Sequence, residues 1–223
     1  MDVLELLKNF VGFFVILLFS LCFHEYAHGW MAKLKGDDTA ERMGRLTLNP
    51  LAHLDPVGTV ILPIIMIVLN SMGAHLPFFG WAKPVPVSVR NLAHPRKDMF
   101  WIALAGPISN IILAVIGTIV IGVLHRALIT STYYKAIMML LAQFVLTNLF
   151  LAVFNLIPLN PLDGGRIVAR FLPPQWAYKW DQMETLSSYL LLFLILVGGL
   201  SLLAKPVLLI FNWLMGFAEH GFF

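Results

Sequence analysis

Apolar residues run along the chain in long blocks, with polar residues gathered between them. The blocks Phe10 to Phe23, Phe100 to Leu124, Ala136 to Ile157 and Leu186 to Ala204 are long enough, or nearly so, to cross a hydrocarbon core that needs about 20 residues of helix. This pattern predicts a first helix over about Val3 to Leu34, embedded near Phe10 to Trp30. Further helices are predicted from near Asp98 to about Leu124, over about Tyr134 to Ile157, and over about Leu186 to Ala204. A short apolar segment, Pro206 to Phe217, follows. Between the first two helices, Val57 to Leu69 is apolar but short and carries Pro63. It leads into HLPFFGWAKPVPVSVRN, where Pro77, Pro84 and Pro86 forbid a regular helix. The largest polar block, KLKGDDTAERMGRLTLNPLAHLDP, reads as turns and short extended pieces, and FLPPQWAYKWDQMETLSS as an amphipathic connector.

Composition strengthens this reading. The 223 residues are 59% hydrophobic and 12% charged, against about 45 to 50% and about 25% in soluble domains. The fold class expected is an all-α polytopic integral membrane protein of about five to six hydrophobic segments, with short extended or re-entrant elements. The net charge of +3 is better read through loop position than as nucleic-acid affinity, and no basic cluster with interleaved aromatics suggests a nucleic-acid partner. A single cysteine, Cys22, excludes an intrachain disulfide and a Cys-based metal cluster. Lys8 before an apolar stretch resembles the start of a signal peptide, but no small-residue cleavage site follows, so the helix is expected to be retained.

Loop charge orients the pieces. Loops 31 to 56, 73 to 99 and 158 to 185 hold 11 of the 15 Lys and Arg residues, and such residues concentrate on the cytoplasmic side. Placing all three loops inside requires Val57 to Leu69 and the proline-rich stretch after it to enter the membrane and return to the same face. Backbone of that kind needs cover from protein or a water-filled cavity. The same parity sets the C-terminal ends of the Val3 to Leu34 and Tyr134 to Ile157 helices at one face.

The chemistry sits in SLCFHEYAHGW. His24, Glu25 and His28 form H-E-x-x-H, which on a helix puts both imidazoles on one face within reach of one ion. Zinc suits imidazole nitrogen, and in the metalloprotease arrangement the glutamate serves as general base rather than ligand. The plainer alternative is a set of polar residues packing a helix end. Ionisable groups within a membrane segment cost about 2.5 to 3.5 kcal/mol each and are functional by default. A catalytic zinc needs a third protein ligand. Asp163, in LNPLDGGR, lies at the expected face, and Gly164 and Gly165 permit close backbone approach or unusual dihedrals there; a helix-capping role is the other reading. Asp37, Asp38, Glu41 and Asp55 read as a solvated loop.

HEYAH near one end of a membrane helix, AGPISN opening another and NLIPLNPLDGG ending a third together resemble the site-2 protease family of intramembrane zinc metalloproteases, peptidase family M50. The likeness covers roughly residues 10 to 170. It implies that His24, His28 and Asp163 ligate one Zn2+, that Glu25 is the catalytic base, and that Asn155 assists substrate binding or transition-state stabilisation. Gly106, Pro107 and Asn110 match a motif expected to serve helix packing. It further implies one membrane-embedded metalloprotease domain over 1–223, with a catalytic core at 10–170 and C-terminal segments at 186–218, in a compact form without PDZ or CBS domains. The partners implied are a lipid bilayer and a transmembrane protein or peptide substrate. The location implied is a prokaryotic cell membrane, with the site nearer the cytoplasmic face. GWAKPVPV is similar to loops that pair with extended substrate, though Trp81 and the prolines equally suit an interfacial belt and a rigid turn.

Two other functions accommodate the motif less well. A zinc-binding transporter or sensor uses the ligands but leaves Glu25 idle, and a substrate-binding pseudoprotease conflicts with an intact HExxH. His53 reads as a hydrogen-bonded loop histidine that could approach the metal. His75, His94, His125 and His220 lie at segment ends and need no special role.

Overall fold

The computed structural model describes residues 3–73 and 80–220. Among them no strand is formed; the chain is helices joined by turns and irregular pieces. Four helices are long and apolar enough to cross a membrane. They lie in α1 (Val3–Leu34), α4 (Pro95–Leu128), α5 (Tyr134–Asn155) and α9 (Ser201–His220). The others are α2 (Thr39–Arg42), α3 (Leu62–Ser71), α6 (Asp163–Ala169), α7 (Pro174–Gln182) and α8 (Glu184–Leu196). At about 1.5 Å per residue, α1 and α4 are each near 50 Å long, more than a hydrocarbon core requires.

α4 is the hub, packing against α1, α5, α6 and α9. Pro95 supplies its first residue, where a missing N–H costs nothing, and Asp98 accepts the His94 backbone N–H at 2.7 Å. The main apolar core lies between α4 (Ala114, Ile121), α5 (Val145, Leu149) and α9 (Val207, Leu214, Ala218). Alanines let these helices approach, and close van der Waals packing drives association in lipid, where the hydrophobic effect between helices is absent. Outward faces keep large apolar side chains exposed, among them Val15, Phe19, Ile112, Ile116 and Leu209, as lipid contact demands.

Two boundaries differ from expectation. The block Leu186 to Ala204 is broken: α8 stops at Leu196 and α9 starts at Ser201. Gly198 takes a φ of 80°, the left-handed conformation that ends helices, and composition hides that break inside an apolar run. Pro206 consequently falls inside α9 rather than at its start.

The excursion between α1 and α4 leaves and returns at one place. A π-helical turn, Pro56–Ile61, runs straight into α3, started by Asp55, whose carboxylate accepts the Val57 and Gly58 N–H groups at 3.0 and 2.7 Å. On the way back Trp81 donates its N–H to Gly58 O at 3.3 Å and Lys83 donates to His53 O at 2.9 Å. This pairing brings the two ends of the excursion together. His75 and Pro77 lie outside the described residues. Residues 80–88 then run extended towards α1, pinned at the far end by Asp37. That carboxylate accepts from Ser88 N at 2.6 Å, Asn91 Nδ2 at 2.8 Å, Thr39 N at 3.1 Å and Thr39 Oγ1 at 2.5 Å. Asp37 is therefore fully buried, where the sequence suggested a solvated loop.

Candidate metal centre

The helical period of α1 sets His24 and His28 one above the other, and both are buried, at 4% and 9% exposure. Their Nε2 atoms lie 3.0 Å apart. Asp163, the first residue of α6, brings Oδ2 to 3.1 Å from His24 Nε2 and 3.3 Å from His28 Nε2. A residue 135 positions downstream of His28 thus completes a triangle with it, because α6 packs on the same helix, α4, that backs α1.

α4 forms the back wall through Ile102, Gly106 and Asn110, spaced four apart on one face. His28 Nδ1 lies 2.6 Å from Ile102 O, and His24 Nδ1 lies 2.6 Å from Asn110 Oδ1. Between them, Gly106 leaves the space that the rings fill: a Cβ there would stand 2.4 Å from His28 Nε2 and 2.6 Å from His24 Cε1. The AGPISN motif, expected to serve helix packing, buries Gly106, Pro107 and Asn110 on α4, which packs on α1, and there also houses and orients the imidazoles.

The donor pattern defines both tautomers. Ile102 O only accepts, so His28 carries its proton on Nδ1. Asn110 Nδ2 donates to Ser20 O at 3.3 Å and to Asn148 Oδ1 at 2.9 Å, and Asn148 Nδ2 donates to Phe144 O at 2.9 Å. Both terminal carbonyls are acceptors only, which orients each amide and turns Asn110 Oδ1 towards a protonated His24 Nδ1. Both Nε2 lone pairs then face the carboxylate. Asp163 Oδ2 is buried without a hydrogen-bond partner among the described residues. An extra proton satisfies one of the three contacts and leaves two repulsive; a cation among the three atoms relieves all of them. Tetrahedral zinc, with His nitrogen and carboxylate oxygen at about 2.0 to 2.2 Å, separates neighbouring ligand atoms by roughly 3.4 Å, close to the separations seen. The donor set fits zinc.

Glu25 adjoins the triangle. Its Oε2 accepts the Val85 backbone N–H at 2.7 Å, so the extended 80–88 segment holds the carboxylate in place. His24, Glu25, His28, Asn155, Asp163 and Arg166 line a cavity of 160 Å³, closed on one side by Pro84, Val85 and Val87. That volume accommodates water and polar groups able to bind it. Asn155, the last residue of α5, spends one amide hydrogen on Leu151 O at 3.0 Å, one turn back in its own helix. Gly164 and Gly165 serve close approach: a Cβ would stand 2.1 Å from Ile157 O and 2.3 Å from Asn160 Oδ1 respectively. The unusual dihedrals considered for them are not adopted, since neither has a positive φ.

The remaining candidates lie elsewhere. His53 is buried with Nε2 2.8 Å from Thr47 O and does not line the cavity. Asp38 pairs with Arg42 and Glu41 with Lys33, both at 2.7 Å. His125 meets Tyr134 Oη at 2.6 Å. Asn148 escaped the sequence reading and Asn110 entered it only as a packing residue, although a fully buried Asn in an apolar helix is itself a signal of function. Val85 offered no signal at all, because it contributes only its backbone.

Comparison with known proteins gives the family. The sequence profile of Peptidase family M50 matches residues 12–136 and 122–198. The chain is similar to YwhC of Bacillus subtilis, whose name gives it as a candidate zinc metalloprotease, at 36% identity over 83% of this chain and 81% of that protein. It is similar to Rip2 of Mycolicibacterium smegmatis, named in the same way, at 32% identity over 75% of this chain and 61% of that one. It is also similar to zinc metalloprotease MJ0392 of Methanocaldococcus jannaschii at 24% identity, over 85% of this chain and 43% of that protein. The chain thus spans less than two thirds of the latter two. No solved structure matches it.

Proposed function

The chain belongs to peptidase family M50, and on that premise we propose that it is an intramembrane zinc metalloendopeptidase of the site-2 type, cutting peptide bonds in or near transmembrane segments. The observation that carries this is the convergence of two imidazole Nε2 atoms and a buried carboxylate oxygen within 3.0 to 3.3 Å, with Glu25 in the same cavity. His24, His28 and Asp163 would hold the ion beside the cavity that Glu25 lines. Zinc bound there supplies a Lewis acid for the scissile carbonyl and brings the pKa of water towards about 7.

The chain's own residues do the rest. Glu25, held at one oxygen by the Val85 N–H, takes the proton of the attacking water through its other oxygen. As the C–N bond breaks it passes that proton to the leaving amine, and the acyl carbon departs as a carboxylic acid that keeps the water's second proton until it gives it up to solvent. Asn155 keeps one amide hydrogen for the developing oxyanion. Substrate must unwind to reach the cavity, because a helical carbonyl is already hydrogen-bonded.

The protein is integral to a membrane, and we assign a prokaryotic cell membrane with the site nearer the cytoplasmic face. Support comes from loops 31–56, 73–99 and 158–185, which hold 11 of the 15 Lys and Arg residues, the charge bias of the cytoplasmic side; a second cavity of 510 Å³, lined by Arg96, Arg170, Asp181 and Glu184, shares Pro161 and Arg166 with the first. The substrate is a single-span membrane protein cut near that side, and residues 10–170 are the catalytic core of one membrane-embedded domain. The test is cleavage of a membrane-reconstituted single-span substrate by wild type and Glu25→Gln, with zinc content measured for both. Zinc-loaded but inactive Glu25→Gln is expected; an active, zinc-loaded variant overturns the mechanism.

A further inference from the structure

We infer that Asn148, on α5, is a positioning residue for the metal: through Asn110 it sets the tautomer and ring orientation of His24, and hence the affinity of the site for zinc. This rests on the ligand assignment proposed above. Asn148 touches neither cavity nor carboxylate, and it is fully buried, as is Asn110. The two amides join α5 to α4 at 2.9 Å, and Asn110 joins α4 to α1 at 2.6 Å.

Every link has one possible direction. Phe144 O accepts from Asn148 Nδ2, which leaves Asn148 only its Oδ1 to offer Asn110. That oxygen draws Asn110 Nδ2 towards it, and Ser20 O draws the same amide nitrogen. Asn110 is thereby obliged to present Oδ1 to His24. Without Asn148 Oδ1 the Asn110 amide keeps a single, longer anchor, the 3.3 Å contact to Ser20 O. A flipped amide would turn Nδ2 towards His24 Nδ1, favour the proton on Nε2, and remove the lone pair aimed at the metal. Partners behind a metal-ligating histidine typically change metal affinity by about 10- to 100-fold.

The rival role is structural, an interhelical hydrogen bond that helps hold α4 to α5. Two substitutions separate the roles. Asn148→Leu keeps the branched outline of the side chain, though it is bulkier, and deletes the acceptor. Asn148→Asp keeps an acceptor for Asn110 but loses the donation to Phe144 O and buries an acid, so it costs at least as much stability. Zinc affinity of the purified full-length chain is measured by competition with a chelator, alongside Tm in the absence of metal. We expect Asn148→Leu to weaken zinc binding about 10- to 100-fold and Asn148→Asp to stay within about threefold of wild type, although its Tm falls as far or further. Asn148→Leu within about twofold of wild type, or affinities that follow Tm in both variants, overturns the inference. If Asn148→Leu does not fold, a loss of about tenfold or more in Asn148→Asp overturns it alone. Wild type that binds no zinc defeats the proposed function itself, whereas wild type that binds one ion beside an unaffected Asn148→Leu defeats only the role of Asn148.

Discussion

Adding one methyl group at Gly106 tests the geometry of the site more sharply than removing a ligand does. In Gly106→Ala the new carbon would stand 2.4 Å from His28 Nε2 and 2.6 Å from both His28 Cε1 and His24 Cε1, where ordinary contact begins at 3.4 Å. One ring or the helix must therefore retreat by about 1 Å, whereas zinc sites hold their ligand distances to about 0.2 Å. Neither ring is free to move, since Ile102 O and Asn110 Oδ1 grip the far nitrogens at 2.6 Å. A displacement of that size costs about 100-fold in rate, and zinc affinity should fall at least as far. Stability should respond much less. Overpacking costs about 1 to 3 kcal/mol, and Ala recovers about 0.5 to 1 kcal/mol of helix preference over Gly. The assay is zinc stoichiometry after equilibration in a zinc buffer, with Tm and substrate cleavage on the same sample. A folded Gly106→Ala protein that binds zinc and cleaves at wild-type levels would show that the rings do not occupy this space, and the metal centre as described would be wrong.

Other substitutions probe separate links. Asp163→Ala should abolish stoichiometric zinc while leaving the α4/α5/α9 core intact, so metal analysis and Tm should diverge. Gly164→Ala would put a Cβ 2.1 Å from Ile157 O, a backbone atom unable to yield. Displacement of Asp163 should then lower zinc affinity roughly as far as Gly106→Ala does. Burial pushes the Asp37 carboxyl up, but hydrogen bonds from Thr39, Asn91 and Ser88 outweigh it and hold the group below its usual value. The stabilisation is accordingly full above the unfolded value near 4 and is lost as pH falls through the folded one. Asp37→Asn should cost about 2 kcal/mol near neutral pH, with the gap to wild type narrowing below pH ~4; denaturation at several pH values checks it, and a gap that does not depend on pH refutes it.

Much of the site was legible because its signals are local. Two histidines four apart in an apolar run have one geometric meaning on a helix, and ionisable groups at membrane depth cost too much to be incidental. Span lengths were legible for the same reason, apart from the break at Gly198, which hydropathy averages away. Asp163 was reachable only through loop charge and the family motif, since nothing within DGG itself separates a ligand from a helix cap.

By itself, the sequence determined the class of protein, an all-helical membrane chain, and the chemistry of its centre, two imidazoles with an adjacent carboxylate. Tertiary structure decided what those groups can do. It brought Asp163 Oδ2 to both imidazoles, turned the Nε2 lone pairs inward through Asn110 and Ile102, and fastened Glu25 with the backbone of a residue 60 positions away. Such contacts leave little trace in the pattern of residues. A hydrogen bond between distant segments depends on where two backbones cross, and a backbone N–H or the space beside a glycine is available at many positions along the chain. Only the packing of α1, α4, α5 and α6 selects which of them meet.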